Sequence, residues 1–295
     1  MKLTIPQRLA SAAQNAAQIA ALSAALIAAC AGPAGAEVNP TPTQRPDPMI
    51  RARAAYNEGH YEQAIEAATL ARENPFTKDA ALLILGRAGL ERYRYTADPT
   101  DLIHAREALR AVDASMLSTR DRTDLLVGVG EALYFDEAYR PAADVFESML
   151  DGETNLSPVA RDQVLDWWAT ATDRYVRNLP ANERADAYDH LIDHMEGELR
   201  RESGSAAAAY WLAAASFARG RVERAWNAAI SGWVRGLMTA DRGAALRPDL
   251  DRLVREAIIP ERVRRLPVAG TKEGEQATAG MLAEWELVKE KWGAR

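Results

Sequence analysis

Along most of this chain apolar side chains recur every three or four positions, and alternating apolar–polar runs are missing, a pattern that predicts helices and no sheet. Five stretches share one stripe, an alanine followed by positions four and seven further on. They are Ala64, Ala68 and Ala71; Ala105, Leu109 and Val112; Ala142, Phe146 and Met149; Ala187, Leu191 and His194; and Ala225, Ala229 and Gly232. One such stripe is ordinary for an amphipathic helix. Five, each preceded by another helical stretch, predict a repeat of helix pairs.

The preceding stretches agree. Twelve residues before Ala64, Ala142 and Ala225 stand Ala52, Gly130 and Ala213, all small. Leu85-Gly86 supplies a small residue in the second unit, and Trp168 and Tyr175 form a large pair in the fourth. Tight turns are signalled at Glu58-Gly59-His60 and Arg219-Gly220-Arg221. Small residues at a crossing let two helix axes approach to roughly 8–10 Å.

Residues 128–150, GVGEALYFDEAYRPAADVFESML, read as helix, turn and helix, with Gly130 and Ala142 where the two would cross. They resemble the tetratricopeptide repeat, W-x2-L-G-x2-Y…A-x3-F…P over about 34 residues. Ala142-x3-Phe146 matches, as does Gly130, with Leu133 in the tyrosine slot; the Trp and the final Pro are missing. The five marker alanines lie 41, 37, 45 and 38 residues apart, so the array is degenerate, with expected insertions at 93–100, 152–156 and 178–182. The resemblance implies an all-α, right-handed superhelix of about five helix pairs over residues 49–238, whose job is protein–protein interaction.

Beyond the array, residues 239–266 read as a helical extension, in which a helix from Leu246 to Ile259 puts Leu250, Leu253, Val254, Ala257 and Ile258 on one stripe and ends at Pro260. Residues 267–280, PVAGTKEGEQATAG, read as a flexible connector. A last amphipathic helix, within 281–295, puts Leu282, Trp285, Val288 and Trp292 on one face. It reads as a cap on the array's last apolar face, or as a docking helix with Trp285 and Trp292 as anchors.

The N-terminus reads as an export signal over residues 1–36. Lys2 and Arg8 form a positive start, Ile19 to Ala31 an apolar run too short to span a bilayer, and Ala34-Gly35-Ala36 a cleavage site. Ile27-Ala28-Ala29-Cys30 resembles a bacterial lipobox, so the only cysteine is a candidate lipidation site as well. Release after Ala36 and anchoring through Cys30 both remain open. Residues 37–48, with four prolines in twelve, read as a stiff linker. No other apolar run is long enough to cross a membrane.

The formal charge is −6, and without Lys2 and Arg8 it falls to −8, which argues against nucleic acid as a partner. Nucleotide-loop, serine-hydrolase and zinc-protease signatures are absent, so no enzyme, cofactor or metal is expected. Gly128 and Gly130 lie within a helix and read as packing glycines. His190 and His194, one turn apart, are the alternative as a metal-binding or hydrolytic centre, and His60 with Asp79 is a dyad that nothing supports. Trp167 and Trp168 are the alternative as a platform for cell-wall glycan.

A surface remains. The resemblance implies that first helices line a groove, carrying Arg53, Tyr56, Asn57, Arg87, Leu90, Glu131, Tyr134, Phe135, Tyr210, Ala214 and Phe217 as candidate lining. About half are expected to be core instead, Tyr134 and Phe217 first. In the third unit Glu131, Tyr134 and Phe135 are expected to meet the partner. The lysine–asparagine set with which some repeats clamp a terminal carboxylate is not reproduced. The expected function is an exported, non-enzymatic scaffold binding a peptide or helix of another envelope protein. A lipid-anchored part of an outer-membrane assembly machine is the variant of that reading.

Overall fold

The computed structural model describes residues 47–152, 156–267 and 270–293. The export signal, Cys30 and residues 37–46 of the linker lie outside the described residues. Those described are all-α, with helices packed as adjacent pairs and no strand among them. Two compact units divide the chain, Met1–Phe135 and Asp136–Arg295.

In the first unit the helices are α1 (Pro48–Asn57), α2 (Tyr61–Ala71), α3 (Lys78–Thr96), α4 (Pro99–Arg110) and α5 (Thr119–Phe135). Pro48 and Asp47, read as linker, instead start α1: the Asp47 carboxylate accepts from the Met49 N–H at 2.8 Å, and Pro48 sits where no donor is needed. Asp98 and Pro99 start α4 the same way. Neighbours in sequence pack on each other, and α1, α3 and α5 also pack side by side. Ala52, Ala64, Ala68 and Ala71 are buried with Ile84 and Ala88 between α1, α2 and α3. Leu83, Leu90, Ala105 and Leu109 fill the space between α3 and α4. The small residues sit at true crossings. A Cβ on Gly86 would come 2.5 Å from the Leu109 Cγ, and one on Gly128 would come 2.7 Å from the Arg87 Cδ.

The second unit holds α6 (Tyr139–Asp151), α7 (Pro158–Val176), α8 (Ala181–Arg201), α9 (Ala206–Ala218), α10 (Val222–Arg235), α11 (Leu246–Leu253), α12 (Ile259–Arg264) and α13 (Lys272–Trp292). Ala142, Phe146 and Met149 are buried on α6, as are Ala213, Ala225 and Ala229 on α9 and α10. The division at Phe135 falls in the turn of the third predicted pair, so its two helices belong to different units.

Four expectations change. In the fourth pair the buried stripe is Tyr188, Leu191, Ile192, Met195 and Leu199, whereas the marker Ala187 is only half-buried. Most of the expected insertion at 93–100 is helix: α3 runs for 19 residues to Thr96, and left-handed Ala97 stops it. Pro260 does not end the helical extension. A π-turn over Val254–Ile258 widens the helix, the Ile259 N–H reaches back to the Val254 carbonyl, and α12 continues to Arg264 with Pro260 in its first turn. The wider turn removes the steric conflict that a proline creates in a regular helix. Finally, α13 begins at Lys272, so most of the expected connector is helical. Thr271 caps it by accepting from the Gly274 N–H at 3.3 Å, and Glu273 and Glu275 complement the helix dipole.

Candidate partner-binding surface

The neighbouring helices α1, α3 and α5 carry most of the sequence-predicted lining residues, and they sort into a buried base and an exposed rim. The base is ionic. Glu131 of α5 is 2% exposed and lies between two guanidinium groups of α3, 3.5 Å from the Arg87 Nε and 3.6 Å from Arg94. Arg94 also meets Glu91 at 3.2 Å, one turn away on its own helix. Arg87 donates to the Asp124 carbonyl at 3.0 Å, and its guanidinium stands 5.9 Å from the centre of the Tyr56 ring.

The electrostatics follow from this enclosure. Burial works against the charge of Arg87, but Glu131, Tyr56, Glu91 and Asp124 together hold its pKa above the ordinary value. Burial raises the pKa of Glu91, with Arg94 opposing and Glu131 adding to the rise. Burial also raises that of Tyr56, against Arg87. The Glu131 Oε2 and Arg87 Nε have no hydrogen-bond partner beyond their own 3.5 Å approach. Such a network adds little net stability, because the cost of desolvating its charges offsets their attraction.

This corrects the expectation for the third unit. Glu131 and Tyr134 are buried, at 2% and 8% exposure, and Phe135 is half-buried with its ring edge on Tyr93 at 5.1 Å. Leu90 is fully buried core. Their spacing places them on the face of α5 and α3 turned towards neighbouring helices, so they support the surface from beneath.

The rim is what solvent meets. Arg53 of α1 donates to both carboxylate oxygens of Asp121, at 2.9 and 3.0 Å, with nearly half its side chain exposed. Asp121 is held in turn by Ser118, whose hydroxyl donates to it while accepting from its N–H, a cap that starts α5. Arg53 and Ser118 hold the Asp121 carboxyl below its ordinary range. Asn57 is exposed at the end of α1. Beside it runs a chain of rings: Tyr56 lies 5.9 Å from Tyr61, and Tyr61 stacks on Tyr95 at 6.4 Å, with Tyr95 half exposed. Tyr61 and Tyr95 were missed by sequence reasoning. One opens a second helix and the other sits in the stretch read as an insertion; their ring types were the only signal.

In the second unit, Tyr210 and Phe217 are half-buried on α9, and the Tyr210 ring meets Trp211 edge-on at 5.5 Å. The Trp211 N–H donates to Asp166 at 2.7 Å, and Ala214 is half-buried. Trp167 and Trp168 are buried, Trp167 stacked on Phe146 at 5.9 Å, so neither offers a face to a sugar. His190 pairs with Glu147 at 3.0 Å, and His194 packs on Trp168 at 4.5 Å, where burial lowers its pKa. Among the described residues no three His, Cys, Asp or Glu side chains cluster to hold a metal ion. His60 pairs with Glu58, and Asp79 accepts from the Asp113 N–H. Trp285 is fully buried between Trp226 and Trp233, while Trp292 stays partly exposed.

No helix among the described residues is long and apolar enough to cross a membrane. Comparison of the chain with protein-family models, curated proteins and solved structures gave no match.

Proposed function

We infer that this protein is an exported interaction scaffold of tetratricopeptide-repeat type, and that it binds a peptide or helix of another envelope protein on the rim of α1, α3 and α5. It carries out no reaction of its own. The observation that supports this reading is the contrast between base and rim. Arg53, Asn57 and Tyr95 stand exposed, with Tyr61 of α2 half-buried beside Tyr95, over side chains locked by packing and ion pairs. Tyrosine and arginine on a pre-organised support lose little entropy when a partner docks, and they dominate the energy of protein interfaces. Arg53 is held in place by Asp121 with nearly half its side chain exposed, and Tyr95, stacked on Tyr61, offers a half-exposed aromatic face to an apolar anchor.

The test is capture from an envelope extract by the full chain, with Arg53→Gln/Tyr95→Ala as the variant. Both positions are exposed, so far-UV circular dichroism should match wild type. A specific protein enriched by wild type should drop at least tenfold with the variant. Equal recovery by both would remove the rim from the interface.

A further inference from the structure

The terminal helix α13 is held on the second unit by a single anchor. Its buried residues are Trp285 and Gly274 alone, although it runs for 21 residues. The Trp285 ring enters a socket whose walls are Trp226, 6.0 Å away, and Trp233, 5.4 Å away, both on α10. Its N–H donates to Asp251 at 2.8 Å, and Lys289 donates to the same carboxylate at 2.8 Å. Around the socket stand cations. Arg262 lies 4.6 Å from the Trp226 ring centre, Arg247 lies 5.1 Å from that of Trp233, and Arg255 pairs with Glu286 of α13. Arg247 also donates to the Trp292 carbonyl at 2.9 Å.

Two features mark α13 as an imperfect occupant. Outside the Trp285 socket none of its side chains is fully buried: Ala277, Met281, Leu282 and Val288 are half-buried, and its ion pairs sit at partly exposed positions, which contribute little in water and weaken with salt. The Trp233 N–H is buried and has no hydrogen-bond partner while α13 is in place. The helix itself carries five glutamates against three lysines between Lys272 and Trp292, and one of them, Glu286, meets Arg255, whereas Arg262 is held by Glu223 of α10. Leu287 and Trp292 of the same helix face solvent, at 64% and 42% exposure.

We propose that the Trp226–Trp233 socket is a second binding site, for an acidic amphipathic helix of a partner protein bearing a tryptophan anchor, and that α13 occupies it in cis as a displaceable mimic. A competing helix places its indole where Trp285 sits, sets a carboxylate against Arg255, and offers Trp233 an acceptor. Displacement then frees α13 and its exposed apolar face. The site is built entirely from the second unit and does not depend on the rim of α1, α3 and α5.

The probe is a fluorescent synthetic peptide with the sequence of Lys272–Trp292, added to the full chain. Wild type, with its socket filled, should bind weakly. Glu286→Arg changes only α13 and sets it against Arg255, so peptide binding should tighten at least tenfold while hydrogen exchange over residues 272–292 accelerates. Trp285→Ala should act in the same direction. Adding Trp233→Ala to Glu286→Arg should abolish the gain. Equal affinity in wild type and Glu286→Arg, with unchanged exchange, would overturn the proposal. So would a dimer of Glu286→Arg that excludes the peptide, since that outcome assigns the socket to a second copy of this chain.

Discussion

Replacing Glu131 by glutamine keeps the side-chain volume and removes one charge from the base of the α3–α5 contact. Glu131 is the carboxylate that both Arg87 and Arg94 approach, at 3.5 and 3.6 Å, and its side chain is 3% exposed. Without its charge, two guanidinium groups, at 14% and 12% side-chain exposure, face a cluster in which Glu91 is the remaining glutamate. Breaking a buried pair from one side costs about 3–5 kcal/mol, and because glutamine still accepts a hydrogen bond the expected loss is about 3 kcal/mol. At a urea dependence of about 1–3 kcal/mol/M, the midpoint should fall by roughly 1–3 M. The assay must report the first unit. All seven tryptophans lie in the second, so indole emission is blind to this change, and far-UV circular dichroism with hydrogen exchange over α3 and α5 is required. Arg53→Gln, at a half-exposed pair, serves as the control and should cost about 1 kcal/mol or less. A double replacement, Glu131→Leu with Arg87→Met, should recover more than half of the loss, because it removes charge from both sides. If Glu131→Gln lies within about 0.5 kcal/mol of wild type, an ordinary surface effect, the buried network does not organise α3 against α5.

Gly86→Ala should destabilise the first unit by about 1–3 kcal/mol, although alanine is the better helix former, because its Cβ would meet Leu109 at 2.5 Å and the Ala105 carbonyl at 3.2 Å; no loss in a urea melt would mean that α3 and α4 do not cross there. His194 should titrate below its ordinary value of 6.5, because burial against Trp168 disfavours the imidazolium more than Glu198 and Asp151 favour it. The unfolded chain then binds the proton first, so stability is full above 6.5 and falls as pH drops below it; a pH-stability profile for the second unit that is unchanged by His194→Phe would contradict this. Mass spectrometry of the protein from cells should find Glu37 as the first residue, whereas a lipid-modified Cys30 would make it the anchored form.

The helix pairs were legible because close crossings demand small residues, and Ala52, Gly86, Ala213 and Ala225 could be read as such from spacing alone. Helical periodicity also separated apolar stripes from polar faces. It failed where a charged side chain is buried. Glu131 reads as solvent-facing by type, and only the sideways packing of α5 on α3 brings Arg87 and Arg94 to it. Pro260 failed for a different reason, since a π-turn accommodates it at no cost to the sequence pattern. Trp285 was legible as an apolar position but not as the sole deep anchor of its helix. Tyr61 and Tyr95 became visible as part of the surface only once α2 and α3 had set their rings together.

A partner protein is proposed to dock on the rim of α1, α3 and α5. Site-specific photo-crosslinking in the cells that make this protein tests it most directly, with the photoreactive residue placed in turn at Asn57 and Tyr95 on the rim and at Thr69 and Glu107 on α2 and α4. One recurrent crosslinked protein is expected from the two rim positions and none from the other two. The same products from all four positions, or none from Asn57 and Tyr95, would contradict docking there.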